Sequence, residues 1–253
     1  MKTIILNNIL PKIFADSEIN SEIWKNEVTF SKGDFYLLEA DSGKGKSSLF
    51  SFIYGYRNDF FGEILFDNQN INGINSNSWN SLRNNSLSLL FQDLRLFGEI
   101  TALENILLKN RLNGHKTKSE ILQMFDLLNI ADKVNQKCDK LSFGQQQRVA
   151  LIRALCQPFD FLLLDEPISH LDDTCALSAA ELITQNAQKI GASVIVSSIG
   201  KRLPLKHNKI LRLWENYMLK KTLNSQTASP KNLSPFPPVK FSFVKITVTT
   251  VSL

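Results

Sequence analysis

The chain has little of what marks membrane-spanning or disulfide-stabilised proteins. Its three cysteines, Cys138, Cys156 and Cys175, show no ligand spacing, which favours a reduced, structural role over a disulfide framework. No apolar run approaches the roughly 18 residues that a membrane span needs. Asn7 and Asn8 interrupt the apolar N-terminus, so it is not a convincing signal peptide. The 253 residues, 43% hydrophobic and 21% charged, predict a globular protein of one large domain or two small ones.

Acidic residues are missing from the end of the chain. After Glu215 the sequence has five lysines and no Asp or Glu, which accounts for the whole formal net charge of +5. Residues 1–215 are therefore close to neutral. A nucleic-acid interaction inferred from the charge would depend on the tail alone, and we expect no nucleic-acid partner.

The last segment, residues 221–253, is predicted to be a separate tail. Residues 225–238 are rich in Ser, Thr, Asn and Pro, as linkers are. Residues 241–251 alternate like one isolated strand, which must dock or stay disordered. A membrane-surface contact through the lysines and nonfunctional sequence from a changed reading frame are the remaining alternatives.

Hydrophobic periodicity predicts an α/β fold for the rest of the chain. Strands are expected over residues 35–38, 62–67, 87–91, 161–164 and 193–197. A helix is expected to start at Ser47, residues 101–155 are predicted to be mainly helical, and residues 176–188 form another helical pattern. The last of these joins two short apolar strands, so it predicts a βαβ unit and a parallel sheet.

A glycine-containing loop lies between the first of these strands and its helix. Gly43-Lys44-Gly45-Lys46-Ser47 is typical of a loop whose backbone N–H groups hold the phosphates of a nucleoside triphosphate. Lys46 would reach the β- and γ-phosphates, and the Ser47 hydroxyl would bind Mg²⁺. A chance Gly-Lys-Ser at a helix start is the alternative. The predicted nucleotide-binding residues are Ala40, Asp41, Ser42, Gly43, Lys44, Gly45, Lys46, Ser47 and Ser48.

An acidic pair ends the strand at residues 161–164. The carboxyl ends of parallel strands gather at one edge of a sheet, where ligands bind. Asp165 is therefore predicted to hold Mg²⁺, and Glu166 to polarise the attacking water as general base. The alternative is a solvated strand end without a catalytic role.

At Leu141-Ser142-Phe143-Gly144-Gln145 the chain resembles the ATP-binding cassette (ABC) ATPases, whose signature reads Leu-Ser-Gly-Gly-Gln. The resemblance covers residues 3–218, with every motif in order. Gln92 is similar to the family's Q-loop glutamine, and Asp172 to its D-loop aspartate. The Gln-Gln-Gln-Arg-Val-Ala and Thr-Ala-Leu-Glu-Asn runs most resemble the branch of lipoprotein release, macrolide export and cell division.

This resemblance implies a P-loop NTPase domain over residues 1–220. It would have a RecA-like parallel-sheet core, an antiparallel β subdomain, and an α-helical signature subdomain over about residues 93–157. ATP and Mg²⁺ are the implied cofactors, and Gln92 would join Ser47 and Asp165 as a metal ligand. Two cassettes would bind two ATP molecules head to tail. The residues implied to contact the second subunit's nucleotide are Ser142, Gly144, Gln145 and Asp172.

The family also implies an aromatic residue stacked on adenine. Phe14 is predicted for this role, with Trp24 and Tyr36 as less favoured alternatives and a core position as the competing interpretation.

Three positions depart from the family pattern. Ala40 replaces the first loop glycine, and Phe143 replaces a signature glycine. Ser198 stands where the family has its switch histidine. Serine cannot carry charge and reaches less far than imidazole, so we expect slow hydrolysis. A minor alternative is that His207 substitutes for the missing histidine.

The functional expectation is an ATP-binding subunit that hydrolyses Mg-ATP and drives integral membrane permease subunits. Glu166, Gln92 and Ser198 would be its catalytic residues, and its second subunit would be another ABC ATPase, in a homodimer or a mixed pair. We expect a cytoplasmic protein, peripheral on the cytoplasmic face of the inner membrane. The alternative is a degenerate cassette that acts as a low-turnover, nucleotide-dependent dimerisation switch. Soluble repair and translation cassettes are disfavoured because the chain lacks their coiled-coil insertions or second cassette.

Overall fold

The computed structural model describes residues 1–214. The linker and the strand predicted within residues 221–253 lie outside this part of the chain. The β-strands of the described residues are β1 (Thr3–Pro11), β2 (Glu27–Ser31), β3 (Phe35–Glu39), β4 (Phe60–Phe66), β5 (Gln69–Asn70), β6 (Leu87–Leu90), β7 (Phe161–Asp165), β8 (Ser193–Ser198) and β9 (Lys209–Arg212). The α-helices are α1 (Lys46–Ile53), α2 (Ser76–Asn85), α3 (Ala102–Asn110), α4 (Lys118–Leu127), α5 (Phe143–Leu155) and α6 (Asp173–Lys189).

A parallel sheet forms the centre of the described region, in the order β6-β7-β8-β3-β9. Strands β7 and β8 are buried along their whole length. Helices cover both faces of such a sheet, which explains why its strands are continuous apolar runs without alternation. The pairing of β3 with β8 places Glu39 beside Ser198, and that of β7 with β8 places Asp165 beside Ser197. The ends of these three strands therefore meet at one edge of the sheet.

A second, antiparallel sheet has the order β2-β1-β4-β5. Its strand β2 alternates buried and exposed residues, as expected for a sheet with one face on the core. Ile4, Leu6, Phe30 and Ile64 pack from this sheet into the apolar cluster that also covers α1 and one face of the parallel sheet. The predicted α/β class, with a parallel sheet and a separate antiparallel sheet, is confirmed.

Helices α3, α4 and α5 pack over the other face of the parallel sheet, within the second apolar cluster. Capping boxes fix their starts: Thr101 pairs with Glu104, Thr117 with Glu120, and Ser142 with Gln145. The prediction of a mainly helical stretch over residues 101–155 is correct for these helices, but irregular chain and short 3₁₀ turns occupy residues 128–142 between α4 and α5.

Two further expectations concern the described residues. Within residues 1–214 all three cysteines are buried and free, in keeping with a structural role. Burial raises the pKa of Cys156 to about 12, so its thiol stays protonated at neutral pH. Among the same residues, the helices lack the length and hydropathy that crossing a bilayer requires.

Candidate functional site

The glycine-containing loop links the end of β3 to the start of α1. Gly43 and Gly45 adopt positive φ angles of 74° and 93°. A Cβ atom on Gly45 would lie 2.9 Å from the Trp24 ring and 3.1 Å from the Phe14 ring, so glycine is required there for both conformation and space. Gly45 is also the N-cap of α1, and among the described residues no side chain caps this helix. Its first N–H groups therefore remain available for an anion.

Lys46 is the buried cation of this loop. Its side chain is 4% exposed and lies 3.8 Å from Glu166 Oε1. The Nζ group donates to the carbonyl oxygens of Ala40 and Asp41, each at 2.9 Å. Burial lowers the pKa of Lys46, whereas the nearby carboxylates of Glu166 and Asp165 act in the opposite direction. The loop thus holds an ordered ammonium group that fits a phosphate.

Ala40, which replaces the first loop glycine, occupies a position that does not need glycine. Ala40 is not one of the described residues that have a positive φ angle. Its methyl group therefore causes no backbone strain. Its carbonyl oxygen supports Lys46 instead. The loop therefore keeps the geometry of the full pattern without the first glycine.

Oxygen atoms from three elements meet beside the loop. The Ser47 hydroxyl donates to Gln92 Oε1 at 3.3 Å, and both residues line one cavity together with Asp165. Asp165 is buried, and its Oδ1 accepts a hydrogen bond of 2.6 Å from the Ser197 hydroxyl. Hydroxyl, amide and carboxylate oxygens are the donors that Mg²⁺ prefers, and it takes one or two carboxylates alongside substrate phosphates. This set of residues therefore fits Mg²⁺ bound with a nucleotide.

Glu166 directly follows Asp165, the predicted metal ligand. It adopts a left-handed φ of 51°, which is uncommon for a residue with a side chain, and its N–H donates to Ser197 Oγ at 3.2 Å. Burial raises the pKa of Glu166, and Lys46 opposes this shift. This shift brings the pKa of the carboxyl group closer to neutral pH. A general base is most effective when its pKa lies near the working pH.

Lys46, Ser47, Gln92 and Glu166 line one open cleft that we call the nucleotide cleft, and Asp165 lines a cavity that shares Ser47 and Gln92 with it. The nucleotide cleft is bordered by Ile13, Phe14, Ser42, Gly43, Gly45, Lys46, Ser47, Ser48, Arg57, Gln92 and Glu166. The structure thus brings the loop, the Q-loop glutamine, the acidic residue and Phe14 together. Asp41 and Lys44 lie on the same loop outside this lining.

The aromatic residues near the loop have different environments. Trp24 and Tyr36 are 1% and 3% exposed and belong to the core, which excludes both alternatives for adenine stacking. Phe14 is half-buried at the rim of the cleft, and its ring meets the edge of Trp214 at a centroid distance of 5.4 Å. Lys44 Nζ lies 4.0 Å from the centre of the Trp214 ring. Trp214 follows β9, and the sequence gives no motif that would predict its place here.

Ser198 lies near the site, but its hydroxyl is already engaged. The residue is buried and donates to the carbonyl oxygen of Lys201 at 2.6 Å. It shares a small cavity with Glu166 and Ser197. The neighbouring Ser197, which the sequence analysis did not single out, is the residue that contacts the acidic pair. No local pattern in the sequence predicts this role, because it depends on the pairing of β8 with β7.

His207 cannot substitute for the missing histidine. It precedes β9, which runs parallel to β3 with Lys209 opposite Tyr36. The next residue, Asn208, accepts a hydrogen bond of 2.7 Å from the N–H of Phe35 at the start of β3. The phosphate loop follows the other end of that strand, so His207 lies at the opposite edge of the sheet. It is also half-buried rather than exposed, and burial lowers its pKa.

The signature residues begin α5, where Ser142 Oγ accepts from the N–H of Gln145 at 3.3 Å. A Cβ atom on Gly144 would lie 2.8 Å from the carbonyl oxygen of His170, so the retained glycine allows the D-loop to pack closely. Phe143 is the first residue of the helix and is 44% exposed, with its ring 4.4 Å from the His170 ring. Phe143 therefore presents its ring at the surface, at the start of α5.

Asp172 caps α6 through a hydrogen bond of 2.8 Å from the N–H of Cys175, which lowers the pKa of its carboxyl group. Among the described residues that line the nucleotide cleft, Asp172 and the signature residues Ser142, Gly144 and Gln145 are not found. The structure therefore separates these four predicted binding residues from the cleft of the same chain.

Comparison with known protein families matches residues 25–169 to the family described as ABC transporter. The chain is 30% identical over 196 residues to the lipoprotein-releasing system ATP-binding protein LolD 1 of Chlorobium chlorochromatii, covering 74% of this chain and 80% of that protein. It is 29% identical over 198 residues to the phosphonates import ATP-binding protein PhnC of Staphylococcus saprophyticus, covering 74% and 76%.

Among solved structures, the dimeric structure of MJ0796, a bacterial ABC transporter cassette, has a TM-score of 0.69 and 25% identity. The match covers 83% of this chain and 94% of that one. It confirms the predicted cassette fold, and the LolD match agrees with the branch that the motifs indicated. The phosphate loop, the acidic pair and the signature helix thus occur together in one known type of domain. The chain belongs to the ABC transporter family as an ATP-binding cassette.

Proposed function

We propose that this chain is the ATP-binding subunit of a transporter complex and that it hydrolyses Mg-ATP to move a membrane partner. The observation that carries the proposal is the convergence of Lys46, Ser47, Gln92, Asp165 and Glu166 at one edge of the parallel sheet. The site thus offers an ammonium group for a phosphate, oxygen ligands for a divalent cation, and a carboxylate for a water nucleophile.

Each of these residues has a role in phosphoryl transfer. Lys46 and the N-terminal amides of α1 hold the β- and γ-phosphates. Ser47, Gln92 and Asp165 hold Mg²⁺, which when bound neutralises charge on the phosphate oxygens. Glu166 orients a water molecule and takes its proton as the water oxygen attacks the γ-phosphorus and the bond to the β-phosphate oxygen breaks. The products are ADP and inorganic phosphate.

A second cassette completes the site in this proposal. Ser142, Gly144 and Gln145 lie at the start of α5, where the helix has its positive dipole end. They and Asp172 do not line the chain's own cleft, which supports a role toward the nucleotide of another subunit. Such an arrangement is a head-to-tail pair with two composite sites. Both a homodimer and a mixed pair with a complete cassette satisfy it.

The membrane partner is proposed to contact the segment from Gln92 to Asn105. The Asn105 side chain is fully buried and bonds the backbone of Phe97 and Thr101, which fixes this segment and leaves the Phe97 ring 61% exposed. The Arg95 guanidinium stacks over the nearby Phe91 ring at 3.8 Å. This segment is an ordered, exposed aromatic surface next to Gln92. That placement supports a role in which the segment transmits a nucleotide-dependent change of structure at Gln92 to a permease at the cytoplasmic face of the inner membrane.

A low-turnover switch is the second candidate, and Ser198 favours it. The hydroxyl of Ser198 is donated to the Lys201 carbonyl, so it offers no free proton to the γ-phosphate. Under this proposal the chain binds Mg-ATP tightly, pairs with another cassette, and hydrolyses slowly. Cargo selection would belong to the membrane partner, as the separate names of the lipoprotein-releasing and phosphonate-importing relatives suggest.

Turnover by the purified chain distinguishes these candidates. Mg-ATP hydrolysis would be measured for the wild type, Glu166→Gln and Ser198→His, alongside ATP affinity. For a working motor we expect clear wild-type turnover that Glu166→Gln reduces by at least about a hundredfold, because it removes the general base. Tight ATP binding with turnover seen only in Ser198→His would support the switch. Absence of ATP binding in the wild type would refute both.

A further inference from the structure

Arg57 is a positively charged residue at the nucleotide cleft that has no role in the mechanism proposed above. It lies between α1 and β4, and its Nη1 donates to the Ser48 hydroxyl at 3.0 Å. Its Nε donates to Asp59 Oδ1 at 2.8 Å, and its Nη2 pairs with the other oxygen of the same carboxylate. Arg57 also lines the cleft beside Lys46 and Ser48. No motif in the sequence points to this position.

The place of Ser48 indicates which part of a nucleotide lies near Arg57. Lys46 lies 3.8 Å from Glu166, which marks the end of the cleft where hydrolysis takes place. The hydroxyl of Ser47 faces Gln92 and so belongs to the metal position. Ser48 is the next residue of α1, and its hydroxyl is engaged by Arg57. Phosphates held by the loop amides and the first turn of the helix include those that remain in the diphosphate.

The guanidinium is well suited to this position. It is planar, always charged, and presents several N–H groups that match phosphate oxygens. About half of its side chain is exposed, so it is open to a ligand in the cleft. The aromatic ring of Phe52 lies 5.3 Å away and supports its orientation, and Asp59 holds it in place while partly neutralising its charge.

We propose that Arg57 is a further nucleotide-binding residue, contacting the diphosphate part of ATP and ADP next to Ser48. This inference rests on the proposed nucleotide-binding function. Because the contact is made to phosphates that both nucleotides share, Arg57 contributes equally to ATP and ADP affinity. It therefore governs how tightly the cleft retains its product, whereas Lys46 and Glu166 govern the reacting phosphate.

The test is calorimetric titration of ATP and ADP into the wild type, Arg57→Gln and Asp59→Asn. We expect Arg57→Gln to weaken both affinities by about tenfold, the size of one lost hydrogen bond to a charged group. Asp59→Asn should strengthen both, because it frees the guanidinium from its competing carboxylate. The Arg57 contribution should also shrink as salt is raised.

Arg83→Gln is the matched control. Arg83 donates to the carbonyl oxygens of Tyr54 and Gly55 and is not among the residues that line the cleft in the described part of the chain, so its loss should leave both affinities unchanged. Thermal unfolding of each variant reports any general loss of structure.

Four results would count against the assignment. Unchanged affinities in Arg57→Gln, or weakening equal to that in Arg83→Gln, would overturn it. So would a loss confined to ATP, or weaker binding in Asp59→Asn, which would make the Arg57–Asp59 pair a structural clamp. If the wild type bound neither nucleotide, the proposed function itself would fail, and that outcome is separate from these four.

Discussion

The hydroxyl of Ser197 illustrates how one atom positions two functional residues. It donates to Asp165 Oδ1 at 2.6 Å and accepts from the N–H of Glu166 at 3.2 Å. The first bond fixes the carboxylate of the proposed metal ligand Asp165, and the second supports the left-handed backbone of Glu166. Uncommon backbone conformations persist only when their surroundings hold them in place. Ser197 is therefore a positioning residue for both members of the acidic pair.

Replacing Ser197 with alanine should raise the Mg²⁺ concentration needed for half-maximal hydrolysis by about tenfold, because removing one such bond costs about 1 kcal/mol or more in a buried site. Titration of Mg²⁺ at saturating ATP would measure this shift. Ser193→Ala is the matched control, since this serine lies on the same strand but bonds the Asp34 carbonyl at the other end. Equal shifts in the two variants would show that Ser197 has no special role.

At the scale of secondary structure, α5 connects the signature to the Q-loop. Ser142 caps its start, and Arg153 in its last turn donates to the carbonyl oxygens of Leu94 and Arg95. These two residues adopt φ angles of 58° and 48°, a strained pair for residues with side chains. Burial lowers the pKa of Arg153, and within residues 1–214 no carboxylate lies within 4 Å of it. The carbonyl oxygens of Leu94 and Arg95 are the hydrogen-bond partners of its guanidinium group instead.

Replacing Arg153 with methionine should release the turn after Gln92. The change removes two hydrogen bonds from a charged donor, one of them to the carbonyl group of the buried Leu94, so we expect a loss of about 2 kcal/mol in the free energy of unfolding. Hydrogen exchange should accelerate in residues 92–97. In the control Arg148→Met, which removes a bond from the same helix to the Leu128 carbonyl, exchange should accelerate near residue 128 instead. Unchanged exchange at residues 92–97 in Arg153→Met would contradict this coupling.

The sequence predicted the elements whose signals are local. The apolar run of β7 and the glycines of the loop each carry their own physical signature, and both form as expected. Ser197, Arg57 and Trp214 could not be found in this way, because contacts across distant parts of the chain bring them to the site. The effect of Phe143 on the approach of a phosphate stays a prediction, because it concerns the nucleotide of a second cassette. The close approach of the D-loop occurs at Gly144, one residue further along.

At the scale of the whole described region, the predicted functional residues form two separate groups. The nucleotide cleft is lined by residues of the loop, by Gln92 and by Glu166. The signature and D-loop residues form the other group, in which Phe143 and His170 are exposed. A molecule with two separate groups of this kind is suited to head-to-tail association, in which each cleft receives the signature of its neighbour.

This arrangement predicts that Glu166→Gln, which should bind ATP without hydrolysing it, dimerises when Mg-ATP is added. Light scattering after size-exclusion chromatography should show a mass of about twice the 28.7 kDa of one chain. Phe143→Glu added to this variant should abolish the dimer, because a carboxylate would then face the partner's phosphates. Glutamate is favourable in the first turn of a helix, so α5 should still form.

The double variant must still bind ATP as a monomer, since Phe143 does not line its own cleft in the described part of the chain. Calorimetric titration would establish this. A dimer of unchanged strength in the double variant would show that association uses another surface. A monomeric Glu166→Gln chain that binds Mg-ATP would refute self-association. It would leave the mixed pair as the remaining form of the head-to-tail proposal, to be tested against the same Phe143→Glu substitution with a complete cassette as partner.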